Sequence, residues 1–211
     1  MEEKAKVQSA KRLLRKKHLD LRDALSQEER LTKSHAIMEA VVSSYDFLQA
    51  KRVLVYASFG SEVLTSGIAK YAFLLGKKVY CPKVLADGEM EFYEIPAYHE
   101  DYLKPGYHGI PEPDATERTK FIPNGEPSIL IMPGVCFDEK GHRIGYGKGF
   151  YDRYTARVFC GIKMAIAYDN QVQSKEELPA DETDALYDLL VTESRTVCLI
   201  DEEESFTNNW K

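Results

Sequence analysis

An α/β fold with a mainly parallel, Rossmann-like open sheet, helices on both faces and an N-terminal helical hairpin follows from three observations. Short apolar runs alternate with helix-patterned segments along most of the chain, the order expected of βαβ units. The runs lack polar alternation, as in strands covered on both faces. Before the first of them, residues 4 to 44 carry a helical period.

Val7, Ala10, Leu14, Leu21 and Leu25 recur at helical spacing, with Lys11, Arg15 and Arg22 on a neighbouring stripe, so residues 4–24 predict a helix with one basic edge. Ser26-Gln-Glu-Glu29 matches a capping box and predicts a second helix running to Ser43 or Ser44. Arg52–Ser58 reads as a buried strand, Thr65–Leu75 as a helix closed by Gly76, and Lys78–Cys81 as a strand stopped by Pro82. Met90–Ile95 alternates like a further strand. Residues 96–127 hold six prolines and three glycines and predict a long irregular, functional loop. Strands are then expected at 128–132, 163–168, 189–191 and 196–200, with a helix over 147–159.

The chain has 211 residues, 44% hydrophobic and 29% charged, enough for a full core in a single domain, 1–211, whose acidic end 201–211 is expected to fray. A net charge of −6 argues against a general nucleic-acid binder, although residues 1–33 carry ten Lys and Arg against six Asp and Glu. Cys81, Cys136, Cys160 and Cys198 form no CxxC pair, and three of the four read as small core residues of a protein in a reducing compartment. The five histidines are scattered, which gives no zinc pattern. With no apolar leader and no spanning segment, the expectation is a cytoplasmic protein with no membrane partner, acting as a monomer.

The chemistry concentrates in Met132-Pro-Gly-Val-Cys-Phe-Asp-Glu-Lys-Gly-His-Arg-Ile-Gly-Tyr-Gly-Lys-Gly-Phe-Tyr-Asp-Arg153, between a predicted strand and a predicted helix. Gly145, Gly147 and Gly149 free backbone N–H groups for a phosphate, Arg143 and Lys148 supply positive charge, and Asp152 is a candidate metal carboxylate. The spacing fits neither the dinucleotide fingerprint nor a phosphate loop ending in Gly-Lys-Ser or Gly-Lys-Thr, so glycine spacing alone is equally compatible with a turn carrying solvated charges. Phe59-Gly-Ser-Glu62 follows the first strand, at the carboxyl end where open sheets bind ligands; Glu62 alone is equally compatible with a carboxylate at a helix start.

Ser9–Arg15, Tyr56–Glu62, Gly109–Pro113, Met132–Arg153 and Leu178–Asp184 together resemble, in order and over nearly the whole chain, the 5-formyltetrahydrofolate cyclo-ligase (methenyltetrahydrofolate synthetase) family. The resemblance implies conversion of 5-formyltetrahydrofolate, free or polyglutamylated, to 5,10-methenyltetrahydrofolate. ATP is the cosubstrate, Mg2+ the metal, and ADP and phosphate are released. It implies ATP contacts from Lys11, Arg12 and Arg15 and from Arg143, Gly145, Tyr146, Gly147, Lys148, Gly149, Phe150 and Tyr151. Lys148, Tyr151 and Asp152 become catalytic, Asp152 and Asp184 metal ligands, and Ala57, Glu62, Ile110 and Tyr151 folate contacts. Three positions depart from the pattern: Tyr146 where some members have Arg, Phe150 where a Tyr is usual, and Tyr107-His108 where some carry a Trp. Two other readings are a different ATP-dependent ligase or kinase using the same phosphate loop, and a nucleic-acid-binding relative suggested by the basic first helix.

Overall fold

A computed structural model describes residues 2–99, 101–116, 118–173 and 177–200, with side chains from residue 5 onward; the acidic end 201–211 lies outside them. In chain order the elements are α1 (Glu2–Asp23), α2 (Gln27–Ser43), α3 (Tyr45–Gln49), β1 (Arg52–Leu54), α4 (Ser66–Leu74), β2 (Lys78–Val84) and β3 (Met90–Ile95). The hairpin strands β4 (Leu103–Pro105) and β5 (Pro111–Pro113) precede β6 (Ser128–Met132), β7 (Cys136–Asp138), β8 (Arg143–Ile144) and α5 (Phe150–Arg157). The chain closes with β9 (Ile162–Ile166), β10 (Val172–Gln173), β11 (Leu189–Val191) and β12 (Thr196–Cys198).

The seven-stranded sheet runs β12-β11-β9-β6-β1-β2-β3. Its five inner strands are parallel, and β3 and β12 are antiparallel edges. In order of appearance the inner strands read 2-1-3-4-5, a doubly wound sheet whose switch point lies between β1 and β6. Period-2 alternation splits the core. Val53, Ile129, Ile131 and Met164 pack with Ile37, Phe47 and Ile68 of α2, α3 and α4 on one face. Leu54, Leu130, Met132 and Ala165 pack with Tyr154 of α5 on the other.

The local chemistry of the helix ends matches expectation. Ser26 Oγ accepts from the Glu29 N–H at 3.2 Å while Glu29 Oε2 accepts from the Ser26 N–H at 2.8 Å, a complete capping box. Gly76, at φ +68°, closes α4: its N–H donates to Phe73 O and that of Lys77 to Ala72 O, a Schellman motif.

Four expectations are corrected. β2 runs through Pro82 to Val84. Tyr80 turns its carbonyl toward the β1 side, to the Val55 N–H, and Pro82 has the same parity. The N–H that proline lacks therefore points away from the β3 ladder, past Leu54 where β1 ends. The stretch 96–127 contains the β4–β5 hairpin, joined by a 3-10 turn at Tyr107–Gly109. The short strands β7, β8 and β10 form a second small sheet that the apolar pattern does not announce. Finally, Cys160 and Cys198 are exposed, leaving two of the four cysteines, Cys81 and Cys136, in the core.

Candidate active site

The carboxyl ends of β1 and β6 open into a cleft of about 1200 Å³. Its walls come from the segments after both strands, the loop from Arg143 to α5, the β4–β5 hairpin, residues 181–186 and the inward face of α1. Of the residues singled out in the sequence, Lys11, Arg15, Ala57, Glu62, Ile110, Arg143, Gly145 through Asp152 and Asp184 all line it. Arg12 is exposed and does not, because it lies a quarter-turn from Lys11 on α1.

α1 meets β7, β8 and the 3-10 turn at Asp169–Gln171 rather than the main sheet. Its basic edge is its buried edge: Lys11, His18 and Arg22 are at most 5% exposed, whereas Leu13 and Leu21 face solvent. Lys11 Nζ bridges Asp181 Oδ2 at 3.2 Å and Asp184 Oδ2. Arg15 Nε donates to the Gly145 carbonyl at 2.7 Å, and its guanidinium lies so close to Gly147 that an added Cβ would sit 3.3 Å from it. Gly147 and Gly149 have φ of +91° and +65°, conformations that glycine adopts without strain. Lys148 is exposed at the rim, and its carbonyl accepts from Arg153 at 2.8 Å.

Arg143 Nη2 donates to Asp152 Oδ1 at 2.8 Å, and the Ala185 N–H donates to the same oxygen at 3.1 Å. Asp184 Oδ2 accepts from the Asp181 N–H at 2.8 Å. Asp152 is therefore tied to Ala185, the chain neighbour of the other predicted metal carboxylate, Asp184. No group of three or more His, Cys, Asp or Glu able to hold a metal occurs among the described residues. Two hard carboxylates suit Mg2+, which takes one or two protein oxygens and completes its shell with water and phosphate.

On the β1 side, Glu62 is 8% exposed. Its Oε2 accepts from the Phe59 N–H at 2.9 Å, and it precedes Thr65, the N-cap of α4, by three residues. It caps its own turn, which removes the helix-start reading. Burial raises its carboxyl above the ordinary range, opposed by the Phe59 N–H, the Arg22 guanidinium and the Tyr146 hydroxyl. Tyr146, with half its surface exposed, is still pushed up to about 12, chiefly by desolvation, and burial holds Tyr151 well above its usual value, so both phenols stay protonated at neutral pH. Tyr107 packs edge-on to Phe150 at 5.6 Å between ring centroids, and His108 holds φ +52°, a conformation uncommon outside glycine. Sequence reasoning placed Arg22 on the basic edge and gave it no role. Its guanidinium contacts Ser61, Gly134 and Tyr146, and nothing but its alignment with Lys11 and Arg15 pointed there.

A doubly wound sheet with a glycine-rich, cation-flanked loop at its switch point defines the class, an α/β small-molecule enzyme scaffold. The sequence profile of the 5-formyltetrahydrofolate cyclo-ligase family matches residues 7–193. The mouse 5-formyltetrahydrofolate cyclo-ligase is 31% identical over 197 residues, covering 89% of this chain and 95% of its own. The Haemophilus influenzae enzyme of that name is 36% identical over 68% of this chain and 76% of its own. Among solved structures, the Aquifex aeolicus 5,10-methenyltetrahydrofolate synthetase superposes with a TM-score of 0.77 at 36% identity, over 90% of this chain and 93% of that one. The chain belongs to the 5-formyltetrahydrofolate cyclo-ligase family.

Proposed function

We infer that this cleft converts 5-formyltetrahydrofolate to 5,10-methenyltetrahydrofolate at the expense of ATP. The observation that carries the reading is the convergence in one cleft, within a chain of this family, of a glycine loop flanked by Arg15 and Arg143, two carboxylates on segment 152–184, and the buried Glu62.

A formamide carbon is a poor electrophile and its oxygen a poor leaving group. Transfer of the γ-phosphoryl group to the formyl oxygen corrects both, and ADP departs. N10 then attacks the same carbon and loses its proton, and phosphate leaves with the former formyl oxygen as the ring closes. The protein's share is positioning and charge neutralisation.

Lys11, Arg15, Arg143 and Lys148, with the N–H groups of Gly145, Gly147 and Gly149, are proposed to receive the phosphates. Asp152 and Asp184 are proposed to hold Mg2+, which when bound neutralises phosphate charge. The pairings Arg143–Asp152 and Lys11–Asp184 support both roles: each keeps a cation and a carboxylate together where phosphate and metal would separate them. Glu62 is proposed to accept the pterin N–H groups, with Ala57, Ile110 and Tyr151 packing the ring.

The deciding assay combines purified protein, 5-formyltetrahydrofolate, ATP and Mg2+, following the methenyl chromophore and ADP together. Equimolar appearance of both is expected. ATP turnover with other acids or alcohols but not with this folate would instead support a different ligase or kinase on the same scaffold.

A further inference from the structure

Arg22 is a buried charge at the cleft that the reaction leaves unassigned. It is 3% exposed and extends from α1 into three segments. Nε donates to Ser61 Oγ at 2.9 Å, Nη2 to the Tyr146 hydroxyl at 2.7 Å, and Nη1 to the Gly134 carbonyl at 3.4 Å. Ser61 adjoins Glu62 after β1, Gly134 follows β6, and Tyr146 lies in the glycine loop. One guanidinium thus joins both strand ends of the switch point to the loop between them. It also lies 5.7 Å from the Tyr146 ring centroid. Because Arg22 donates to the Tyr146 oxygen, the tyrosine keeps its own hydrogen to donate, and its hydroxyl and the Arg22 charge both favour the ionised Glu62 carboxylate.

We propose that Arg22 is the positioning residue for the folate end of the cleft, holding Tyr146, the Ser61–Glu62 turn and the Gly134 carbonyl in one frame that presents the Glu62 carboxylate to the pterin. The proposal rests on the folate reading above. A neutral Glu62 would turn a hydroxyl donor toward N–H donors, so the ionised form must be maintained in a buried place. The groups facing Glu62 are the Phe59 N–H of its own turn, Tyr56 after β1, Tyr146 of the loop, Tyr151 of α5, Tyr168 after β9 and Arg22 of α1. Of these, Arg22 brings the positive charge. Lys11 and Arg15, on the same helix edge, are engaged with Asp184 and Gly145 instead.

The test titrates wild type, Arg22→Leu, Arg22→Lys and Tyr146→Phe calorimetrically with 5-formyltetrahydrofolate, and separately with a nonhydrolysable ATP analogue, from acidic to neutral pH. Arg22→Leu is expected to weaken folate binding by about 10- to 100-fold while changing the ATP analogue by less than about twofold. It should also move the acid limb of folate binding to higher pH, since a raised carboxyl pKa loses an opposing charge. Arg22→Lys should lose affinity but keep the limb near its wild-type position, and Tyr146→Phe should move the limb the same way by less. A folded Arg22→Leu with unchanged folate affinity, or with equal losses for both ligands, overturns the proposal. Should Arg22→Leu fail to fold, an unmoved limb in Tyr146→Phe overturns it. Wild type that binds no folate sinks the functional reading itself, whatever the variants do.

Discussion

Glu62 and Asp152 carry the two proposed carboxylate roles of the site, Glu62 recognising the pterin and Asp152 holding Mg2+. Glu62→Gln keeps the shape but places an amide donor against a pterin donor, and should cost about 2–3 kcal/mol of folate binding while sparing ATP. Burial raises the Glu62 carboxyl, so wild-type folate affinity should fall as pH drops through that raised value, and the glutamine variant should lack this limb. Calorimetry at several pH values reads both effects; unchanged affinity would leave Glu62 as a turn cap. Asp152→Asn retains an oxygen for the Ala185 N–H and Arg143 but loses its charge, so it should stay folded and lose at least about 100-fold in turnover. Near-wild-type rates at limiting magnesium would contradict a metal-binding role. Both carboxylates were identifiable from motif context. Arg22 was not, because its Tyr146 partner is 124 residues away and a lone arginine on a helix edge reads as solvated.

At the scale of elements, α1 shows where periodicity stops informing. The 3.6-residue pattern predicts the helix and its basic edge, but it does not say that this polar edge is buried more deeply than the apolar stripe. The structure buries Lys11, His18 and Arg22, whose partners are Asp181 and Asp184, the Asn170 carbonyl, and Gly134 and Tyr146, while Leu14 and Leu25 pack against the core and Leu13 and Leu21 stay exposed. Those partners come from the distant end of the sequence, 173 residues on for Lys11 and Asp184. This makes a sharp comparison. Lys11→Ala with Arg15→Ala should raise the Michaelis constant for ATP by at least about tenfold, from loss of charge-assisted contacts, whereas Lys16→Ala with Lys17→Ala, on the exposed side, should not. Equal effects in steady-state kinetics would reduce α1 to a nonspecific basic patch. The β4–β5 hairpin was hidden for another reason: its three prolines suppress the strand pattern, yet an edge ribbon of three residues a side tolerates missing donors.

For the whole molecule, strand order was beyond the sequence, because alternation fixes a βαβ class but not which way the chain turns after β2. What the order creates is the switch point, and with it one cleft fed by residues 8 to 186. Since α1 closes that cleft against segment 181–184 and both core faces share the same strands, the chain should unfold as one cooperative unit. Ligands at either end of the cleft should therefore stabilise all of it. A nonhydrolysable ATP analogue with Mg2+, or 5-formyltetrahydrofolate, at about 100 times its dissociation constant adds roughly 2.7 kcal/mol and should raise the melting temperature by about 5–10 °C. Together they should shift one calorimetric transition further than either alone. Two resolved transitions, with only one moved by ligand, would mean that α1 or the 96–127 segment folds independently of the sheet it covers.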